Sequence, residues 1–435
     1  MGIFTNTILI IKSSYIFILE YSKYKLNITN EEIFIDNVTT RLSRQNMLYI
    51  KILQWITTDT IYNNENIKKK FEQFSNNVDY SANDIDYDCL HRLSDKNNIK
   101  LDSLIPINSG TISIVFKGML DDKRIIIKMK KKNIHKKLVE SVNFFNLLGK
   151  ISSYIPYLSD LNLKKIIQSN SENLLLQTNF LKEVENIETF YNIYKDNTNT
   201  IIPYVYKNFT LENDNIIVME FIEGSTIYSI HDSVKDNYSD LVFKFMFDCI
   251  FKYDIFHGDL HPGNILFMYN IEDNIYNIGL IDFGIIIRIE KEYKNYIFQF
   301  FDKVLKQDHY KLFNFIINKL VLKIDPLNNE IVDNKIIIEE LLYFQKKYNL
   351  FDLSMIKPPD IYYLSVVLKK YNLILDVKFS KILVCISSMY SLLYMLQDGS
   401  GKLIFEIAFN KYCIENIPEK KMYDSLFGNR IRGKM

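Results

Sequence analysis

The sequence predicts an α+β chain of two lobes, one β-rich and one helical, preceded by a helical extension. Three observations carry this. From Leu101 short alternating runs replace the helix-like spacing of the first hundred residues. Everything after about Glu290 is helical in pattern. In a chain with only 13 Gly and 8 Pro, the loops rich in Gly, His and Asp fall where one pattern gives way to the other. The expected divisions are an extension over 1–100, a β-rich lobe over 101–225 and a helical lobe over 226–435, with a cleft between the lobes.

In chain order, Ile8–Leu19 is apolar, short and broken by Lys12, which predicts a buried or interfacial helix rather than a membrane anchor. No basic leader or small-residue cleavage site is expected near it. Ile67–Leu93 reads as helices joined by polar loops. "TISIVFKGML" (Thr111–Leu120), the turn at Asp121–Lys123 and "RIIIKMK" (Arg124–Lys130) predict a hairpin. Lys136–Tyr157 and Ser171–Tyr194 are long helical patterns, and Asn215–Gly224 is a buried strand ending in a glycine turn. The chain is then helical to Tyr253. Another hairpin, "NILFMY" and "IYNIGLIDFG" across "NIEDN", precedes the helical remainder. Ile382–Leu396 is a core helix. The basic run Lys128–Lys137 is predicted to be a solvated face apart from its first lysine.

Composition sets limits. Hydrophobic residues make up 48% and charged residues 24%, as in ordinary globular proteins. A formal net charge of +1 supplies no global attraction to nucleic acid, and none is expected as partner. The Ile, Asn, Lys and Tyr bias is that of AT-rich coding and carries no function. Four widely spaced cysteines (Cys89, Cys249, Cys385, Cys413) fit neither a disulfide framework nor a zinc site. An intracellular, reducing setting is expected, with no organelle specified.

The chemistry concentrates in "HGDLHPGN" (His257–Asn264) and "LIDFG" (Leu280–Gly284). An Asp, an Asn five residues later, a hairpin and then Asp-Phe-Gly is the order used in kinase-type phosphoryl transfer. One carboxylate faces the nucleophile, and an amide oxygen with a second carboxylate holds a hard divalent cation. Asp259 is the candidate base or positioning residue. Asn264 and Asp282 are the candidate ligands for Mg²⁺ or Mn²⁺. His257 and His261 lie four apart, but Gly258 and Pro262 prevent their stacking on one helix face. Orienting the loop by hydrogen bonds is their expected role. Upstream, Lys128 follows three β-branched residues, and Glu183 in "NFLKEVENIETF" is its expected carboxylate partner. "INSGTISIVFKG" (Ile107–Gly118) precedes that lysine strand, where a phosphate-covering loop belongs.

Taken together these residues resemble the UbiB family of atypical kinases, the aarF-domain kinases. The family order is KxGQ, an Ala-rich loop, a lysine strand, ExxN, HGDxHPGN and DFG. This chain offers "KILQ" (Lys51–Gln54), "PINSGTISIVFKG" (Pro106–Gly118), "IIIKMKKKNI" (Ile125–Ile134), "EVEN" (Glu183–Asn186), "VMEFIEG" (Val218–Gly224), then "HGDLHPGN" and "DFG". The resemblance implies a bilobal protein-kinase-like fold binding ATP or ADP with magnesium. It places the nucleotide against Ile107, Asn108, Ser109, Gly110, Thr111, Val115 and Lys128, with Glu220 to Ile222 at the hinge. It makes Lys51 and Gln54 part of an extension that restricts protein substrates. It points to isoprenoid-quinone metabolism and to a lipid or membrane surface as partner. Two departures stand out: Leu53 replaces the KxGQ glycine, and Asn108 and Gly110 stand where alanines are usual. Two alternatives stay open, a phosphotransferase of the aminoglycoside or choline kinase type and a nucleotide-binding pseudokinase scaffold.

Overall fold

The computed structural model describes residues 3–43, 45–46, 48–49, 78, 80–152, 171, 174–325, 333–351, 358–396, 409 and 412. Lys51, Leu53, Gln54 and Cys413 lie outside these residues. The chain divides into two compact units, Met1–Thr189 with Tyr204–Phe221, and Phe190–Pro203 with Ile222–Met435.

The first unit opens with helices α1 (Ile3–Lys25) and α2 (Glu31–Ser43), which pack against each other. Glu20 is buried in α1 and is held by Lys23, Asn37 and Arg41, which ties the two helices together. α1 buries Leu9 and Ile16 and leaves Ile11, Tyr15 and Ile18 exposed, so one face of the expected apolar helix serves the core. Helix α3 (Tyr87–Asn97) starts where the Asp86 carboxylate accepts the Cys89 N–H, and stops at Asn98, whose φ is 52°.

The sheet follows: β1 (Ile99–Leu101), β2 (Asn108–Ser109), β3 (Ser113–Leu120) and β4 (Lys123–Lys130). β3 and β4 form the expected hairpin in full register, from Ser113 opposite Lys130 to Leu120 opposite Lys123. Helices α4 (Ile134–Ser152) and α5 (Phe180–Tyr194, its last turn in the second unit) come next; after β5 (Thr200–Ile201), which belongs to the second unit, the first resumes with α6 (Lys207–Glu212) and β6 (Ile216–Glu220). β6 pairs antiparallel with β4, and β1 with the other edge of β3. Ile114, Phe116, Ile125, Ile127, Met129, Ile216 and Val218 point to one side and pack on Leu90 and Leu93 of α3. Gly118 belongs here for a steric reason. A Cβ would stand 2.5 Å from the Lys100 carbonyl oxygen, so β1 could not approach β3.

Two expectations need correction in this unit. The pattern over Ser171–Tyr194 is not one helix: the chain turns at Gln177–Asn179, and the Asn179 amide oxygen caps α5 by accepting the Lys182 N–H. The basic run is not a solvated face throughout. Lys128 and Lys131 are buried and Lys130 nearly so, because this part of the run lies in or beside a covered strand; Lys132 and Lys136 are exposed.

The second unit surrounds β7 (Ile255–His257), β8 (Ile265–Asn270), β9 (Ile275–Leu280) and β10 (Ile286–Arg288). β8 and β9 form the second expected hairpin, β5 joins β9 in parallel, and β7 pairs with β10. Helix α7 (Lys235–Phe247) runs through a widened turn at Asp248–Lys252 directly into β7. The helical remainder comprises α8 (Lys291–Leu305), α9 (His309–Lys319), α10 (Asn334–Tyr348), α11 (Pro358–Lys370) and α12 (Val377–Leu396). It is not wholly helical. β11 (Val321–Lys323) and β12 (Leu373–Leu375) pair antiparallel, each too short for alternation to register in the sequence. α12 contains the expected core helix, with Ile382, Leu383, Ile386, Met389, Leu392, Leu393 and Leu396 buried.

Candidate functional site

Each unit holds its own set of candidate side chains. In the first, strand alternation turns Lys128 away from the sheet core and toward α5. Its ammonium donates to the Glu183 carboxylate at 2.6 Å. The side chains are 11% and 3% exposed, so this is a desolvated ion pair. Such a pair fixes two charges in one geometry, while losing either partner leaves the other buried.

The loop before Lys128 is a backbone structure. The Ile107 N–H donates to the Val115 carbonyl and the Gly110 N–H to the Ser113 carbonyl, both at 2.8 Å. β2 pairs Asn108 with Val115 and Ser109 with Ile114. Ser109 and Thr111 are buried, whereas Ile107 and Asn108 are exposed. Gly110 has open space, since a Cβ there would meet only the Ser113 carbonyl, at 3.7 Å. At the end of β6, the Glu220 carboxylate accepts the Tyr204 N–H, and Ile222 is buried as the first residue of the other unit's second segment.

In the second unit one histidine organises both motifs. His257 ends β7 and is 2% exposed. Its Nε2–H donates to the Asp282 carbonyl at 2.6 Å, and its Nδ1 accepts the Asp259 N–H at 3.3 Å. Burial holds this imidazole below the usual histidine range, although the Asp282 and Asp259 charges pull the other way. A neutral ring with one donor and one acceptor is what these bonds require. His261 acts more locally, its Nδ1 accepting the Gly263 N–H at 3.1 Å. The Asn264 amide donates to the Asp259 carbonyl at 2.8 Å, and the Ile281 N–H reaches the Asn264 carbonyl at 3.2 Å. The Asp282 carboxylate accepts the Gly284 N–H at 3.0 Å. Phe283 is fully buried, its ring 5.2 Å from that of Phe190 and 5.4 Å from His257.

Asp259, Asn264 and Asp282 therefore hang on one bonded frame of backbone and imidazole. The donor set suits Mg²⁺ or Mn²⁺. With the Asn264 NH₂ group donating to Asp259, its amide oxygen could serve as a ligand atom, and Asp282 could add carboxylate oxygen. Among the described residues no three His, Cys, Asp or Glu side chains cluster as a metal cage.

Gly258 allows this frame to close. Its N–H donates to the Ile285 carbonyl at 2.9 Å, and a Cβ would lie 2.4 Å from the Ile285 side chain. Gly258→Ala is expected to destabilise the protein by about 2 kcal/mol through overpacking. A denaturation midpoint equal to wild type would show that the loop yields instead.

Sequence reasoning did not single out three neighbours of these residues. Cys385 in α12 donates its thiol to the Gly258 carbonyl at 3.5 Å, and burial pushes its pKa up to about 12. Nothing in the local sequence links positions so far apart. Phe180 packs against Lys128, and Lys130 lies on the same strand face. Two-residue alternation from Lys128 was the available signal for Lys130.

Residues 101–316 match the ABC1 atypical kinase-like domain. A protein of Blochmanniella pennsylvanica named "Probable protein kinase UbiB" is 27% identical over 216 residues, 48% of this chain and 39% of that relative. Its namesake in Providencia stuartii is 28% identical over 175 residues, 38% of this chain and 31% of the relative. The matched part thus spans well under half of either relative's length. A solved complex of Rv3197 with erythromycin from Mycobacterium tuberculosis aligns with a TM-score of 0.46 at 16% identity, over 72% of this chain and 80% of that one. The match runs across the sheet, the His257 loop and Asp-Phe-Gly, so residues 101–316 form an ABC1 atypical kinase-like domain similar to that of UbiB proteins.

Proposed function

We propose that this chain binds ATP or ADP with Mg²⁺ and works as an atypical kinase or ATPase. The observation that carries this is the bridge made by His257, whose two ring nitrogens join the Asp259 and Asp282 backbones. A loop held in this way presents fixed oxygens without reorganising when charge arrives. Lys128, aligned by Glu183, contacts the phosphates; Asn264 and Asp282 hold the cation; Asp259 positions the attacking hydroxyl or water. When bound, the cation supplies charge neutralisation on the phosphates. The backbone of Ile107–Thr111 covers the phosphates, and Val115, Glu220 and Ile222 line the base.

The link to isoprenoid-quinone metabolism, and a lipid or membrane-surface partner, rest on the resemblance to UbiB proteins. No helix among the described residues is long and apolar enough to cross a membrane. Lys51 and Gln54 belong to the proposed regulatory extension.

The test is thermal stability of the full chain with ATP or ADP, with and without Mg²⁺. Nucleotide at a hundredfold over its dissociation constant is expected to stabilise by about 2.7 kcal/mol. No shift at millimolar nucleotide would overturn the reading. A shift without phosphate release or transfer, unchanged in Asp259→Asn, would leave a nucleotide-binding scaffold.

A further inference from the structure

β4 carries two lysines on one face. Met129, between them, is buried in the sheet core with Ile125 and Ile127, so alternation sets Lys128 and Lys130 together on the opposite side. Both ammoniums lie against the ring of Phe180, 5.7 and 5.0 Å from its centroid. Phe180 is itself buried, at the first residue of α5. One turn further along, Glu183 is bonded to Lys128 and also acts on the charge of Lys130.

Lys130 differs from Lys128 in how close its carboxylates stand. The other acid near Lys130 is Asp214, at 3.8 Å, too far for a hydrogen bond. The Asp214 side chain is 64% exposed and solvated, while that of Lys130 is only 12% exposed. Burial outweighs both acids and holds the Lys130 ammonium below the ordinary lysine range. A desolvated cation without a bonded counterion costs stability, and an arriving anion relieves that cost.

We propose that Lys130 is a second phosphate-contacting lysine of the nucleotide site, sharing Phe180 and Glu183 with Lys128. This rests on the nucleotide reading above and extends it. The ligand class is a nucleoside di- or triphosphate, whose several negative charges suit two point-charge cations better than one.

The test uses the full chain and an acyl-phosphate derivative of ATP. A lysine amine near the phosphates attacks the mixed-anhydride carbonyl, an amide forms, ATP departs and the amine proton goes to solvent. Peptide mass spectrometry is expected to find both Lys128 and Lys130 acylated, each protected by excess ATP. In parallel, Lys130→Met is expected to weaken Mg-ATP binding about tenfold, the usual loss for one charged hydrogen bond. Lys130→Arg is expected to keep most of the affinity, and Lys130→Met to melt at or above wild type without nucleotide, since it removes a desolvated charge. Acylation of Lys128 alone, with wild-type affinity in Lys130→Met, would overturn the proposal and leave the nucleotide reading standing. Acylation of Lys130 that ATP does not block, or a Lys130→Met defect seen in nucleotide-free stability and not rescued by Arg, would assign Lys130 to packing. No ATP-protected acylation and no binding would remove the nucleotide reading and Lys130's role with it.

Discussion

Asp282→Asn is expected to abolish the Mg²⁺-dependent thermal shift produced by ATP or ADP, while the nucleotide-free protein melts within a few degrees of wild type. The substitution keeps the side-chain shape and an oxygen that can accept the Gly284 N–H. It does not touch the Asp282 carbonyl that binds His257. What it removes is the negative charge proposed to face a hard cation. The lost stabilisation is the full ligand contribution, about 2.7 kcal/mol with nucleotide at a hundredfold over its dissociation constant. Asn264→Ala is a less clean test, because it also deletes the bond to the Asp259 carbonyl. Calorimetric binding of Mg-nucleotide by Asp282→Asn at wild-type affinity would refute the metal assignment.

Lys128→Met is expected to destabilise the first unit by several kcal/mol. It leaves Glu183, 3% exposed, without its 2.6 Å ammonium partner. Breaking a buried pair from one side typically costs about 3–5 kcal/mol. The lower end applies here, because Lys130 still acts on Glu183. The double variant Lys128→Met/Glu183→Leu is expected to recover most of the loss, since it removes both desolvated charges. Urea denaturation of the two singles and the double tests this as a cycle. Additive losses would mean that the pair is not coupled in the folded protein. The double variant would still lose nucleotide binding, so stability and function separate within one set of proteins.

Much of this protein follows from local chemistry. The β3–β4 and β8–β9 hairpins were legible because alternation and turn residues act over a few positions. That Asp259, Asn264 and Asp282 share one bonded frame follows the motif spacing, which is the spacing that a cation and a phosphate would impose. Less was legible where burial decides. Lys128–Lys137 looked like one charged run, yet Lys130 and Lys131 are covered and Lys136 is solvated. The β11–β12 pair escaped notice because three-residue strands have no periodicity to detect. Asn179 interrupts a helical pattern through a cap that competes with helix continuation.

By itself the sequence determined the fold class and the resemblance to kinase-like proteins, since these depend on period and motif spacing. Only the tertiary structure decided that His257 joins the Asp259 and Asp282 backbones, that Cys385 reaches the Gly258 carbonyl from 127 residues away, and that Lys130 is desolvated beside Phe180. Those relations depend on which distant segments exclude water from one another, and residue order alone does not express that.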